Sequence, residues 1–332
     1  MKVPEIMKKV EIINQGENYS LSTTNTKTPK LRNGEVLLKV FSSGLNRADI
    51  FQSEGKYPPP LGASDILGLE VSGEVIKKSP DVHTLEIGDK VCALLSGGGY
   101  AEYVNTNAEL CFHIPDHIDK LYASALPEAI FTIWYNIFQI GDLKENETIL
   151  IHGGSSGVGT MGIQIAKLFK NKIIVTAGTD EKCRACIDLG ADEAINYNKN
   201  DFLSHLQSNR SKTRVDVILD MVGGDYVEKN IKLLKHNGRL VFIAFNKGSR
   251  VNLNLLKIMT KKLVITGSTL RSQSLEKKIE IAQSIRKNLW PLVKSGSIKP
   301  VVDSTYPFYK AMNAHDRMKS GEHIGKILLI NK

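Results

Sequence analysis

The chain has 332 residues, which exceeds the length of one average domain and predicts two domains. Hydrophobic residues make up 42% of the sequence and charged residues 24%, and this balance excludes a disordered or fibrous chain. The sequence contains no uncharged apolar run long enough to span a membrane, and its N-terminus mixes Lys and Glu with single apolar residues. We therefore expect a soluble cytoplasmic protein with no membrane partner.

The chain is basic, because 44 lysine and arginine residues exceed 35 aspartate and glutamate residues by nine. A basic balance is compatible with phosphate-bearing partners, including nucleic acid. The basic residues are scattered, however, and no run of five or more occurs. We therefore expect a solvated basic surface and one local anion site, and we do not expect a nucleic-acid interface. Cys183 and Cys186 form a C-x-x-C pattern, which we interpret as ordinary positions of a predicted helix.

Residues 1–127 contain short β-forming runs broken by glycine and proline, for example 36–41, 67–71 and 90–95. Such runs predict a compact antiparallel β domain. Residues 57–61 read Tyr-Pro-Pro-Pro-Leu and predict an exposed loop, because proline has no N–H to donate to a sheet.

From residue 128 the pattern alternates between strands and helices, which predicts right-handed βαβ units and a doubly wound parallel sheet. The C-terminal region adds a long amphipathic helix and a last strand that we expect to return to the first domain. The predicted domains are therefore 1–127 with 271–332, and 128–270. Predicted strands cover 148–151, 172–176, 194–197, 215–220, 239–245, 262–267 and 325–330, and predicted helices cover 129–140, 162–169, 182–189 and 273–294.

The strongest motif is the turn that follows the strand 148–151. Gly157, Gly159 and Gly162 form a literal G-x-G-x-x-G, which between a strand and a helix is the dinucleotide-binding fingerprint. In a second register Gly154, Ser156 and Gly159 hold the three roles, and we prefer it because it places the tight turn directly after the strand. Glycines let backbone amides approach a pyrophosphate, and the helix N-terminus attracts the anion.

The end of the next strand indicates which nicotinamide cofactor binds. A site for NADH usually has Asp or Glu about 20 residues after the first glycine, on the ribose hydroxyl. Here Ala177 and Gly178 occupy that place, and Lys182 follows within reach of a phosphate. Asp180 is the contrary observation, and we interpret it as a helix cap. The pattern therefore favours NADPH.

Motifs in both regions resemble the medium-chain dehydrogenase/reductase superfamily, in a resemblance that runs from about residue 36 to 330. The resemblance implies an α/β fold, with a GroES-like β-rich catalytic domain and a Rossmann domain. In the zinc enzymes of that superfamily a Cys and a His bind catalytic zinc, but Asn46 and Leu69 stand at those positions here. The resemblance therefore implies no metal. The motifs lie at 44–51, 62–75, 86–91, 98–103 and 323–328.

The zinc-free pattern is similar to the quinone oxidoreductases of the zeta-crystallin type, and most similar to the tumour-suppressor-inducible subgroup, through residues 46–49, 55–60, 62–68 and 266–271. This implies reduction of quinones or α,β-unsaturated carbonyls by NADPH, through hydride transfer or one-electron transfer. Two alternatives remain open. One is an NADPH-binding protein with an RNA-binding or structural role and little turnover, and the other is an enoyl-thioester reductase.

The candidate catalytic residues are Asn46 and Tyr57. A carboxamide can donate to a nicotinamide ribose or a substrate carbonyl, and a phenol can donate to a substrate oxygen. We expect the site in the cleft between the domains. His152 ends a sheet strand, and we predict a packing role for it. The expected cofactor-binding residues are Asn46, Thr132, Gly154, Ser156, Gly157, Val158, Gly178, Lys182, Tyr197, Val222, Phe245, Leu270 and Lys326.

In the resembled family the apolar strand predicted at 262–267 lies at a sheet edge that pairs with its twin across a two-fold axis. An exposed strand edge needs to be covered. We therefore predict a homodimer.

Overall fold

The computed structural model describes residues 3–208 and 213–331. The strands are β1 (Ile6–Ile13), β2 (Ser20–Lys27), β3 (Glu35–Gly44), β4 (Glu70–Lys78), β5 (Lys90–Leu94), β6 (Tyr103–Asn107), β7 (Cys111–His113), β8 (Thr148–His152), β9 (Lys172–Ala177), β10 (Glu193–Asn196), β11 (Val215–Asp220), β12 (Leu234–Phe242), β13 (Val264–Gly267), β14 (Val302–Pro307) and β15 (Lys326–Ile330). The helices are α1 (Arg47–Ser53), α2 (Pro127–Ile133), α3 (Gly157–Leu168), α4 (Asp180–Leu189), α5 (Phe202–Ser208), α6 (Tyr226–Leu233), α7 (Leu256–Lys261), α8 (Leu275–Asn288), α9 (Trp290–Lys294) and α10 (Ala311–Ser320). Trp134–Ile140 is π-helical, and Ala108–Leu110, Tyr122–Ala125 and Phe308–Lys310 are 3₁₀ turns.

The chain divides into two compact units. The first unit extends to Glu128 and resumes at Arg271, and the second unit is Ala129–Leu270. The boundary thus lies one residue after the position predicted from the sequence. It falls inside α2.

The first unit is built on a seven-stranded sheet in the order β14-β15-β3-β4-β5-β7, with β6 also paired to β3. Its pairs are antiparallel except for β14 with β15, so the antiparallel prediction is confirmed with one exception. The last strand returns to this unit as predicted, because Leu329 of β15 pairs with Ser43 of β3. Burial of Val, Leu and Ala side chains from β3, β4 and β5 forms its core.

The second unit is a six-stranded parallel sheet in the order β10-β9-β8-β11-β12-β13. Every residue of β8 is buried, as expected for a central strand of a parallel sheet covered on both faces. The strand order reverses its direction next to β8, where doubly wound sheets bind their ligands. This arrangement confirms the Rossmann-type prediction.

Several predicted elements differ in their bounds from those in the structure. The strand expected at 239–245 begins earlier and ends at Phe242, so Phe245 lies beyond it. The helix expected at 273–294 is divided into α8 and α9, because Pro291 in the first turn of α9 cannot donate an N–H to a continuing helix. The helix expected at 129–140 changes from α to π geometry at Trp134.

The loop 57–61 has neither helix nor strand, as predicted, and the side chain of Leu61 is fully exposed. Within the described residues, no helix combines the length and the apolar character that a membrane crossing needs.

Candidate active site

The glycine-rich turn joins β8 to α3 in the second unit. Gly153 has φ +72°, a left-handed conformation that favours glycine. Ser156 caps α3, and its Oγ accepts the N–H of Gly159 at 3.0 Å. The N–H groups of Gly157 and Val158 have no acceptor in the described part of the chain. Two amide donors at a helix N-terminus are therefore available to an anion.

Gly154, Gly159 and Gly162, which belong to the two proposed registers, are closely packed. A Cβ atom on Gly154 would lie 2.6 Å from the Cβ of Val175 on the neighbouring strand. A Cβ atom on Gly159 would lie 2.6 Å from the carbonyl oxygen of Gly154. A Cβ atom on Gly162 would lie 3.0 Å from Cδ1 of Ile151 on β8. Glycine at these positions lets the turn and α3 approach the sheet, and Gly162 supplies the close contact between helix and strand.

The end of β9 carries no acidic residue. The carboxylate of Asp180, just beyond it, accepts hydrogen bonds from Asn196 Nδ2 at 2.7 Å and Lys199 Nζ at 2.5 Å. The capping role expected of Asp180 belongs instead to Thr179, whose Oγ1 accepts the N–H of Lys182 at 3.2 Å. The expectation was wrong because the cap is the residue before the first helical turn, and Asp180 lies inside that turn.

The structure brings together Gly178 and Tyr197. A Cβ on Gly178 would lie 2.7 Å from the Tyr197 hydroxyl, so a side chain there would displace the phenol. Tyr197 is 46% exposed, whereas Lys182, in the first turn of α4, is buried. These three residues follow the ends of β9 and β10, which are neighbours in the sheet.

Four other predicted cofactor residues lie in the second unit. Thr132 is buried on α2. Val222 follows β11, and its N–H donates to Asp220 Oδ1 at 2.6 Å. Phe245 is exposed and packs on Phe242, with 5.0 Å between ring centroids, and Leu270 is buried.

His152 is fully buried at the end of β8. Its ring nitrogens lie 3.0 Å from Thr176 Oγ1 and 2.9 Å from Asn230 Oδ1. Burial lowers its pKa, and its ring packs against Phe202 and Tyr226. The predicted packing role is consistent with these contacts.

In the first unit, Asn46 lies in a buried polar cluster with Glu70 and Lys326. Lys326 Nζ donates to Asn46 Oδ1 at 2.7 Å and forms an ion pair with Glu70. Asn46 Nδ2 donates to Glu70 Oε1 at 3.0 Å and to the carbonyl oxygen of Gly44 at 3.3 Å. Both hydrogens of the carboxamide therefore have acceptors. The donor role expected of Asn46 is not available in this arrangement, and its Oδ1 is an acceptor for Lys326.

A second carboxyl group lies beside this cluster. The N–H of Glu128 donates to Glu70 Oε2 at 2.9 Å. Burial of its own carboxyl, followed by the charge of Glu70, raises the pKa of Glu128 to about 7.

A chain of buried groups begins at Asp49 on α1. Its carboxylate accepts N–H groups from Asn46 at 2.8 Å and Gly68 at 2.9 Å, and burial raises its pKa to about 6. Tyr100 Oη donates to Asp49 at 3.4 Å and lies 3.4 Å from His315. Tyr19 Oη lies 2.8 Å from the other ring nitrogen of His315, whose pKa burial lowers to about 3.

Tyr57 lies in the loop before the three prolines. Its hydroxyl makes no hydrogen bond within residues 3–208 and 213–331, so it is available to a ligand. The guanidinium of Arg271 lies 5.6 Å from its ring centroid. Burial, followed by the charge of Glu128, raises the pKa of Tyr57, and Arg271 opposes this shift.

Sequence reasoning missed Glu70, Asp49, Glu128 and Arg271. The signal for Glu70 was present, because a carboxylate stood within the apolar run 67–71 of a predicted strand. A buried charge in such a position needs a partner. The partner, Lys326, lies more than 250 residues away along the chain, and no local pattern connects the two.

Among residues 3–208 and 213–331, no three His, Cys, Asp or Glu side chains lie together in a way that could hold a metal ion. Cys183 and Cys186 have free thiols on α4. Burial raises the pKa of Cys186 to about 12, which leaves it in the thiol form.

Two family models match the chain. Residues 32–116 match the alcohol dehydrogenase GroES-like domain, and residues 157–284 match the zinc-binding dehydrogenase model. The first match lies in the first unit, and most of the second match lies in the second unit.

The chain is 29% identical over 306 residues to quinone oxidoreductase of Sus scrofa and 28% identical to that of Homo sapiens, covering 91% of this chain and of each relative. The crystal structure of Escherichia coli quinone oxidoreductase complexed with NADPH is similar with a TM-score of 0.87 and 28% identity. That match covers 98% of this chain and 100% of the other.

Proposed function

The chain belongs to the quinone oxidoreductase family of the medium-chain dehydrogenases/reductases, and on that premise we propose that it is an NADPH-dependent, zinc-independent reductase of quinones or α,β-unsaturated carbonyls. The observation that carries the proposal is the turn from β8 to α3. Within residues 3–208 and 213–331, it leaves the N–H groups of Gly157 and Val158 without acceptors, beside closely packed glycines. A pyrophosphate supplies the anionic oxygens that these donors lack.

The end of β9 supports NADPH over NADH. A carboxylate aimed at the ribose would repel a 2′-phosphate, and the carboxylate of Asp180 is held by Asn196 and Lys199. Lys182 and Tyr197 would bind the phosphate, and Gly178 leaves room for it. Thr132, Gly154, Ser156, Val222, Phe245, Leu270 and Lys326 remain proposed cofactor contacts.

NADPH, when bound, supplies a hydride, and the acceptor takes up that hydride and one proton. Tyr57 is the proposed catalytic residue, because its hydroxyl is free to donate a hydrogen bond to the acceptor oxygen as negative charge develops. Asn46 would act through Oδ1, as an acceptor for a cofactor hydroxyl. Quinones and enones accept hydride without a Lewis acid when their oxygen is hydrogen-bonded, and Leu69 at the position of a zinc ligand has no donor atom.

We test the proposal by titrating NADPH and NADH into the protein and following the fluorescence of Trp134 and Trp290, then adding an ortho-quinone and recording NADPH absorbance. Tight NADPH binding with quinone-dependent oxidation is expected. Tight binding with no turnover of quinones or enones would instead support a binding protein, and selective turnover of acyl thioesters would support an enoyl-thioester reductase.

A substitution of Lys182 tests the proposed pocket for the 2′-phosphate. Lys182→Met should weaken NADPH binding by about tenfold or more and leave NADH binding nearly unchanged, since a charge-assisted contact to phosphate is lost. Lys170→Met is the matched control, because Lys170 is exposed and paired with Glu145, away from Asp180. Equal weakening of both cofactors by Lys182→Met would contradict the assignment.

We also propose that the protein is a homodimer that pairs through β13. This strand is an edge of the parallel sheet, and Val264 and Ile265 on it are 50% and 38% exposed. Leu255, Leu256 and Met259 nearby in sequence are also exposed. Sedimentation should give twice the chain mass at micromolar protein, and a monomer would contradict the proposal.

A further inference from the structure

Arg271 is a buried cation with an open hydrogen-bonding edge. Its side chain lies in the first unit and is only 5% exposed. Its Nε donates to the carbonyl oxygen of Ser96 at 2.9 Å. Nη1 and Nη2 are buried and find no acceptor in the described residues. Buried guanidinium groups are normally paired, because an unsatisfied charged donor costs several kcal/mol.

The neighbours of Arg271 explain how it is held but do not satisfy it. The guanidinium lies over the ring of Tyr57. Lys278, which is 4% exposed, donates to Ser96 Oγ at 2.8 Å and to the carbonyl oxygen of Arg271 at 2.7 Å. Both cations are therefore bonded to neutral oxygens. Arg271 makes no ion pair within 4 Å in the described chain, although Asp49 and Glu128 lie close enough to favour its charge.

The open edge has the shape of a carboxylate receptor. With Nε occupied, Nη1 and Nη2 remain as the end of the planar fork, and two parallel N–H groups there match the two oxygens of one carboxylate. The nearby carboxyl groups of Asp49 and Glu128 oppose a dianion more strongly than a monoanion. This favours a carboxylate over a phosphate. The same guanidinium lies over the aromatic ring of Tyr57, the residue whose hydroxyl is available to a ligand.

We infer that Arg271, supported by Lys278 and Ser96, is a specificity-determining residue that binds a carboxylate on the acceptor, so that the preferred substrates are quinones or enones carrying a carboxylate group. This inference rests on the proposed function. Binding of a carboxylate at Arg271 can be measured without turnover. An aromatic or unsaturated acid would place its carboxylate on Arg271 and its reducible oxygen near Tyr57.

The first experiment compares two acceptors of similar size and shape, the anionic 1,4-naphthoquinone-2-carboxylate and the neutral 1,4-naphthoquinone-2-carboxamide, with the NADPH-bound protein. The wild type should have a kcat/KM at least about tenfold higher for the carboxylate, since a charge-assisted bidentate contact is gained. Arg271→Met should lower kcat/KM for the carboxylate at least about tenfold more than for the carboxamide, mainly through KM. Equal losses for both acceptors, or no preference in the wild type, would overturn the inference.

The control is Arg286→Met. Arg286 also lies over an aromatic ring, 4.9 Å from the centroid of Phe112, but its nitrogens bond to Glu109 and to the carbonyl oxygen of Cys111. It should leave the preference between the acceptors unchanged. If Arg271→Met melts at a lower temperature than Arg286→Met, its loss of preference could come from lower stability. Arg271→Lys then tests the planar guanidinium group itself. It keeps the charge, and it should lose most of the preference for the carboxylate.

A second measurement separates this inference from the proposed function. Benzoate and benzamide are titrated calorimetrically into the wild type and Arg271→Met in the presence of NADPH. Benzoate should bind the wild type with at least about tenfold higher affinity than it binds the variant, and benzamide should not distinguish them. If no acceptor is reduced but benzoate shows this difference, the proposed function fails and the carboxylate site stands. If quinones are reduced but benzoate binds both proteins equally, or inorganic phosphate competes better than benzoate, the carboxylate site fails.

Discussion

Lys326 and Arg271 are two cations of the first unit that are almost equally hidden, at 4% and 5% exposure. Lys326 pairs with Glu70 and donates to Asn46, so its charge is compensated by an ion pair and a hydrogen bond. In the described part of the chain, Arg271 has one backbone acceptor, and its Nη1 and Nη2 have none. Burial is the same in the two cases, and only the set of partners differs.

That difference separates a charge that is compensated within the protein from a charge whose compensation awaits a ligand. A buried ion pair that is fully hydrogen-bonded is self-contained, and removing one partner leaves the other charge uncompensated. A buried cation with open donors already bears most of its desolvation cost in the folded protein. Its removal should therefore affect ligand binding more than folding. Three predictions test this distinction.

The largest effect is expected for Lys326→Met. Glu70, which is fully buried, would lose its counter-charge, and the free energy of unfolding should fall by about 3–5 kcal/mol. Urea denaturation followed by far-UV circular dichroism measures this change. The double variant Lys326→Met, Glu70→Gln should recover part of the loss, because neither charge is then left alone. A single variant as stable as the wild type would show that the ion pair contributes nothing.

The glycine-rich turn of the second unit and the polar cluster of the first unit differ in how far the sequence predicts them. The turn from β8 to α3 is built from consecutive residues, and its binding groups are backbone N–H groups exposed by glycine. Strand, glycines and helix could therefore be recognised in a single string, and the parallel sheet followed from the alternation of elements.

The polar cluster of the first unit could not be predicted in the same way. Asn46 and Tyr57 were identified through their motifs, but their partners Lys326 and Arg271 come from segments more than 200 residues away. That packing determines which N–H groups of Asn46 already have acceptors. It also determines the open edge of Arg271. Sequence patterns predict which residue types are present, whereas the set of satisfied hydrogen bonds requires the folded structure.

A smaller effect is expected for Glu128→Gln, and its sign depends on pH. The pKa of Glu128 is raised to about 7, so between about pH 4.5 and 7 the folded protein binds more protons than the unfolded chain. The contribution of Glu128 to stability is therefore present at low pH and is lost as the pH rises through 7. Relative to the wild type, Glu128→Gln should be more stable at pH 8 than at pH 5 by about 2–3 kcal/mol, as measured by urea denaturation. A difference that does not change with pH would mean that Glu128 titrates normally.

The smallest effect on folding is expected for Arg271→Met. The variant loses one hydrogen bond to Ser96 and the contact with Tyr57, but it also removes a buried charge whose two outer nitrogens have no acceptor among the residues that the structure describes. These changes oppose each other, so the free energy of unfolding should differ from the wild type by no more than about 1 kcal/mol. The same urea titration that is used for Lys326→Met gives the comparison directly. If Arg271→Met lost as much stability as Lys326→Met, Arg271 would be a structural cation, and its open edge would not be held for a ligand.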